Sequence, residues 1–485
     1  MNIYPARTEI ESYVQEGYRC VPVMTTEKCE KNEDEIYHIL RNVSSHVFIL
    51  DSAEKSERGR YTFFGYDPTL EFTCTSGTVR VKSGTVFTIE NANVPEQIRK
   101  LLKEKRSPKI DGMPPFTGGF VGYFSFDYLS YSEPKLRYSA EDEEKFCDVD
   151  LMLFDKVIVL DNMKNEIMYI ANVCADDLDE SFNKALHTLR AMKDLIRNGE
   201  AKKTQCGKLL EPLKPLFDET AFCDMVNKAK QRIYDGDIFQ VVLSNRLSAS
   251  FEGSLFPTYL RLRETNPSPY MFYFSSETAE IAGASPETLV EYSNGVVRTY
   301  PLAGTRPRGK TDEEDKALEI ELLADEKELA EHNMLVDLGR NDLGRISEFG
   351  SVNVDRYMEI ERYSHVMHIG SAVSGRLRSD CDALDAIGSV LPAGTLSGAP
   401  KIKACQIINE LENNKRGIYG GAIGYLAFTG EMDTCIAIRL AFKKNGKVFV
   451  RSGAGIVADS IPQNEYRECI NKAKAVTEAL EQTSC

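Results

Sequence analysis

GASPETLVEYSNGVVRTYPLAGTRPRGKTDEEDKALEIELLADEKELAEHNMLVDLGRNDLGR, residues 283–345, supports two incompatible readings, and the choice between them decides what kind of protein this is. Residues 304–311 (GTRPRGKT) satisfy the phosphate-loop pattern G-x-x-x-x-G-K-[ST], between a strand-like run at 296–300 and a helix-like one. The loop is poorly equipped for that chemistry. Pro307 removes an amide donor and no glycine lies inside the loop. The helix that follows opens Asp312, Glu313, Glu314, Asp315, acids that suit a positive helix end but repel a triphosphate.

The opposing reading starts at Glu331. The spacing predicts one helix over 312–338 with a core-facing stripe of Ile320, Leu323, Ala324, Met334, Leu335 and Leu338. Glu331 falls inside that stripe, and a buried, unpaired carboxylate is costly, so it needs a cation. A salt bridge to Lys327, Arg340 or Arg345 supplies one. A bound divalent ion is the other solution.

Outward from this segment, the composition is that of a soluble globular chain. At 485 residues, and about 150 residues per domain, two or three domains are expected. The net charge is -15 and no basic stripe occurs, which argues against a nucleic-acid binder. Twelve cysteines are scattered without a C-x-x-C pair, so neither zinc nor a disulfide framework is indicated and reduced thiols are expected. The polar start MNIYPARTEIESY and the lack of an 18-residue apolar run exclude a signal peptide and a membrane span, which leaves the cytoplasm as the expected location. Tryptophan is absent.

Residues 1–200 read as a β-rich region, with short turn-punctuated strands from 47 to 170 and a helix at 177–197. Residues 201–217 read as a linker, and 218–485 as a second region of mixed helices and strands. In its last helix, PQNEYRECINKAKAVTEALEQ, Glu465, Glu468 and Lys472 share one face. By itself the Glu468/Lys472 pair is a solvated contact of about 0.3–0.5 kcal/mol. Just before it, RSGAGIVADS (451–460) is a glycine-interrupted strand, open either to a ligand or to a bulge.

Eight blocks follow one another in order: GASPETLV, PLAGTRPRGK, AEHNMLVDLGRNDLGR, YSHVMHI, LPAGTLSGAPK, YGGAIGY, MDTCIAIR and GAGIVADSIPQNEYRECINKAKA. Together with ILDSAEKSERGRYTFFGYDP near the amino terminus, they resemble the chorismate-utilising enzymes, above all the anthranilate synthase component I branch. Eight ordered blocks outweigh one short loop pattern and set nucleotide binding aside.

The resemblance implies an α+β fold, two large antiparallel β-sheets packed as a sandwich with helices on the outside, the N- and C-terminal regions intertwined. It implies conversion of chorismate and ammonia to anthranilate and pyruvate via aminodeoxyisochorismate, the first step of tryptophan biosynthesis. Glu331 and Glu468 match the carboxylates that hold Mg²⁺. Arg439 and Tyr419 match residues that grip substrate carboxylates, with Gly453, Ala454, Gly455, Gly304, Thr305, Thr395 and Lys472. Glu287 matches the general acid for loss of the ring hydroxyl, which requires a pKa raised by burial. His368 matches the histidine of the pyruvate-eliminating step, while His332 and His365 read as structural.

Two positions separate relatives. Ala303 stands where aminodeoxychorismate synthases, the alternative branch, carry a nucleophilic lysine. Gln240 stands where isochorismate- and salicylate-forming relatives place a water-activating lysine. Both favour anthranilate. Feedback control is implied by NPSPYM at 266–271 and by ILDS in place of LLES, which gives an inhibitor site for tryptophan of Asp51, Ser52, Pro269, Tyr270, Met271 and Tyr425, part of it in the N-terminal region. No glutaminase set of Cys, His and Glu is visible, so a separate glutamine amidotransferase subunit is the expected partner.

Overall fold

In the strand Val47–Asp51, Val47 and Ile49 pack among helices, while Phe48 and Leu50 enter a different core on the opposite face. The strand Tyr270–Ser275 repeats the division, with Met271 and Tyr273 on one side and Phe272 and Phe274 on the other. Side chains alternate with a period of two, so strands buried on both faces need apolar residues at every position. The structure, a computed structural model of the chain, describes residues 1–53, 58–133, 136, 139–363 and 366–484.

These strands belong to two antiparallel sheets, of 13 and 12 strands among the described residues. The layer between them is aromatic: Phe48, Phe272, Phe442 and Phe449 come from one sheet, Tyr123, Met152 and Phe154 from the other. Helices Glu33–Val43, Leu178–Asn198 and Phe256–Thr265 cover the outer face of the first sheet. Val94–Lys103, Glu326–Gly344 and Ala383–Val390 cover that of the second. This is the expected sandwich.

Each sheet is two half-sheets joined at one seam. In the first, Val47–Asp51 of the N-terminal half pairs with Tyr270–Ser275. In the second, Gly119–Phe124 pairs with Ala422–Ala427. The two regions are intertwined through these seams. Within 201–217, Lys208–Leu209 and Lys214–Pro215 add short strands to Gln240–Glu252.

The single helix expected over 312–338 is two, Asp312–Ala324 and Glu326–Gly344. Asp325 breaks it, because its carboxylate accepts from the amides of Lys327 and Glu328 and so starts a new helix. Ile320 and Leu323, expected inside, are 69% and 38% exposed. The buried side of the second helix runs through His332, Leu335, Val336, Gly339 and Leu343, so of the expected stripe only Leu335 is fully buried. The phosphate-loop match is spent locally: the Gly309 amide donates to Asp315 and the Lys310 amide to Glu314. Among the described residues no helix is long and apolar enough to cross a membrane.

Candidate active site

The second of these helices and the last helix, Pro462–Gln482, flank a cavity of about 660 Å³ floored by strands Gln240–Glu252 and Lys447–Ile456. Glycine makes the floor. A Cβ on Gly453 would lie 3.1 Å from the Tyr419 hydroxyl, and one on Gly455 2.8 Å from the Gln240 amide nitrogen. Bare backbone therefore lets Tyr419 and Gln240 lie flat against the strand. Ala454, between them, turns its methyl into the helix-side core, so only its backbone is available to the cavity.

Arg439 ends the short connection between strands Met432–Ile436 and Leu440–Lys444, with φ 51°. A non-glycine residue in the left-handed region costs about 1–3 kcal/mol, which the surrounding sheet must overcome. Its guanidinium is half-buried and, among the described residues, has no hydrogen-bond or ion-pair partner. Burial lowers its pKa and the nearby Glu287 carboxylate opposes that. Such a fork is ready for a ligand carboxylate.

Glu287 is half-buried in the cavity wall, and burial pushes its carboxyl up to about 8 against the opposing pull of Thr395, Arg439 and Lys472. Thr395, on the short helix Gly394–Leu396, donates to it at 3.2 Å. The acid is poised to donate.

His368 lies on Val366–Arg376, and its Nδ1 is 2.8 Å from the Gly304 carbonyl and 3.1 Å from Thr305 Oγ1. A carbonyl only accepts, so Nδ1 carries the proton and the neutral ring keeps a lone pair on Nε2. Burial lowers its pKa and favours that neutral form. Gly304 aims the carbonyl from a bulge, with φ 63° and a register shift between Ala303 and Thr305.

At the far end stand four carboxylates, Glu328 and Glu331 on one helix and Glu465 and Glu468 on the other. Burial and the neighbouring Glu331 raise Glu328; burial and Glu468 raise Glu465, against a hydrogen bond from Ser460. Glu331 is half-buried and has no ion pair among the described residues. Arg340 pairs with Asp337 at 2.8 Å and Arg345 with Glu133 at 2.6 Å, so neither supplies the salt bridge open to Glu331. Lys472 pairs with Glu468 at 2.7 Å.

No three acidic, His or Cys side chains among the described residues lie close enough to cage a metal. Repulsion within each pair, and all-oxygen donors too few to form a cage, fit a hard ion that keeps part of its water shell. Mg²⁺ is such an ion.

Residues 45–478 match the model of the chorismate binding enzyme family. The chain is similar to anthranilate synthase component 1 of Acetivibrio thermocellus, 44% identical across 99% of each chain. With that of Aquifex aeolicus it shares 40% identity across 99% of this chain and 98% of the relative. The chain belongs to the chorismate-binding enzymes. A crystal structure of anthranilate synthase component I from Streptococcus pneumoniae superposes with a TM-score of 0.74 at 41% identity, covering 87% of this chain and 93% of that one. The menaquinone-specific isochorismate synthase of Escherichia coli, 18% identical with a TM-score of 0.70 over 98% and 99% of the two chains, shares the fold.

As a chorismate-binding enzyme, the chain gathers Gln240, Glu287, Gly304, Thr305, Glu331, His368, Thr395, Tyr419, Arg439, Gly453, Gly455, Glu468 and Lys472 around one cavity. Glu328 and Arg451 went unforeseen. Glu328 was legible three residues before Glu331, the same spacing as Glu465 and Glu468. Arg451 was not, because its burial depends on Glu412, Ser244 and the Lys415 carbonyl, all distant in sequence. His332 is structural as expected: buried, bonded to Ser371 Oγ at 2.6 Å and pushed down to about 4 by burial. His365 lies outside the described residues.

A second cavity of about 260 Å³ sits at the seams of both sheets and brings together Asp51, Ser52, Pro269, Tyr270, Met271 and Tyr425. Phe63 and Phe116 flank the Tyr425 ring at 6.3 and 4.8 Å. Asp51 is already engaged, by Arg263 Nε at 3.0 Å and Thr62 Oγ1 at 2.9 Å. Asp433, unforeseen, also lines the cavity and accepts from the Tyr270 hydroxyl at 2.8 Å.

Proposed function

We propose that this chain makes anthranilate and pyruvate from chorismate and ammonia by way of aminodeoxyisochorismate. The observation that carries the reading is the Arg439 fork, without a partner among the described residues, beside Glu287, a carboxylic acid pushed up to about 8, in one cavity. An enzyme that expels a hydroxyl from an anionic ring needs both.

Arg439, Tyr419 and the backbone amides of 453–455 hold the substrate carboxylates. Glu331 and Glu468, with Glu328 and Glu465 nearby, would hold Mg²⁺, which would supply charge neutralisation to a substrate carboxylate. Glu287 gives its proton to the C4 hydroxyl, which leaves as water while ammonia bonds to C2. Ammonia is already nucleophilic and needs no base. The Gln240 carboxamide oxygen, buried and without a partner among the described residues, accepts one of its N–H groups. His368 Nε2 then takes the ring proton at C2 as the ether C–O bond breaks and the ring becomes aromatic, and the released enolpyruvate takes a proton on its methylene carbon to become pyruvate.

Ala303 lines the cavity and offers no amine, which disfavours the covalent route to aminodeoxychorismate. The purified chain mixed with chorismate, Mg²⁺ and ammonium at a pH no higher than about 8 is expected to release fluorescent anthranilate. Accumulation of aminodeoxychorismate or isochorismate instead would overturn the reading. A separate glutamine amidotransferase component supplies the ammonia, and tryptophan occupies the seam cavity as feedback inhibitor.

A further inference from the structure

We infer that Cys20 and Cys174 form a dithiol that hydroperoxides oxidise to a disulfide, a modification site apart from both cavities. The two residues face each other across the antiparallel strands Cys20–Lys28 and Glu166–Cys174. The Cys20 amide donates to the Arg106 carbonyl and the Cys174 amide to Ser181 Oγ, while the next pair outward is bonded from the Ala175 amide to the Arg19 carbonyl. The cysteines therefore hold a non-hydrogen-bonded position, where Cα atoms are about 4.5 Å apart and side chains closest. That spacing falls inside the range of about 4.4–6.8 Å that a disulfide accepts. The sulfurs are 3.9 Å apart, so side-chain rotation is enough to join them.

The two thiols are chemically unlike. Cys174 is partly exposed, and the Cys20 thiol and Lys105, whose Nζ is 3.6 Å away, hold it below the ordinary thiol range against burial and Asp155. Cys20 is buried and pushed up, chiefly by Cys174 and by burial. An accessible thiolate beside a cation, with a second thiol in reach, has the arrangement of a peroxide-reactive pair. The Cys174 thiolate attacks one peroxide oxygen, the O–O bond breaks, and a sulfenic acid and hydroxide result. The Cys20 sulfur then displaces the sulfenic oxygen as water. Two thiols lose two electrons and two protons, and hydrogen peroxide becomes two waters. The bond ties the edge strand of the larger sheet to its neighbour.

The test treats the full chain with hydrogen peroxide, blocks remaining thiols with iodoacetamide, and maps peptides without reduction. A Cys20–Cys174 disulfide peptide that dithiothreitol reverses is expected, while Cys206, exposed, stays alkylated. In Cys20→Ser, Cys174 is expected to be trapped by dimedone as the sulfenic acid. On the untreated protein at neutral pH, iodoacetamide should label Cys174 at least roughly tenfold faster than Cys206, a readout that needs no variant. Recovery of both cysteines alkylated under oxidant that modifies Cys206, or labelling of Cys174 no faster than Cys206, overturns the proposal.

Discussion

At the scale of single residues, Glu287 meets opposing demands from catalysis and folding. Its carboxyl sits at about 8 in the fold, against about 4.3 in an open chain. As proton donor it works below that value, so activity should fall as pH rises through about 8. Glu287→Gln is expected to lower kcat by about 10²- to 10⁴-fold with little change in KM for chorismate; a kcat within a few-fold of the parent would remove Glu287 from the acid's role. The stability effect has the opposite sign. A raised pKa stabilises the fold below the unfolded value and loses that contribution as pH climbs to the folded value. Calorimetry should therefore show Glu287→Gln raising Tm relative to the parent near pH 8 and not near pH 5. SPE at 285–287 was legible as a motif, but the burial that raises Glu287 comes from the tertiary fold, and Thr395 and Arg439, which oppose it, lie more than a hundred residues away.

At the scale of elements, the break at Asp325 places the acidic face of Glu326–Gly344. Asp325→Ala removes acceptors for two helix-start amides and is expected to cost about 1 kcal/mol in urea unfolding. Helical periodicity alone did not reveal the break, because a side-chain cap competes with helix continuation and leaves the apolar spacing only slightly out of phase. Each flanking helix brings two carboxylates three residues apart, and the pairs become one site only across the cavity. Glu331→Gln should raise the Mg²⁺ concentration for half-maximal activity by about tenfold or more. An unchanged Mg²⁺ titration would take Glu331 out of the ion's shell.

At the scale of the whole molecule, the seams make the two chain regions one folding unit. Residues 218–485 alone would expose the edges Tyr270–Ser275 and Ala422–Ala427 together with half of the aromatic layer. That fragment is expected to lack near-UV dichroism and to aggregate, with recovery when residues 1–200 are supplied. A soluble, cooperatively folding fragment would show that the seams are dispensable. The second cavity lies on these seams, so a ligand bound there would touch both halves. Because the chain has no tryptophan, binding of tryptophan can be followed through the ligand's own indole emission. A saturable change is expected, weakened about tenfold in Tyr425→Ala by loss of an aromatic wall; no saturable signal in the parent would empty the cavity of its proposed ligand.

The sequence by itself determined the family, and through that resemblance the sandwich and many of the groups around the cavity. Motifs and period-two burial are local properties, written in residues that lie close together. Only the tertiary structure decided that Glu331 faces a cavity and not leucines, that Asp51 is held by Arg263, that His368 keeps its proton on Nδ1, and that Cys20 faces Cys174. Each of these depends on which distant strand or helix comes to lie alongside, and on the desolvation and charge that neighbour brings. No spacing within a single segment encodes that.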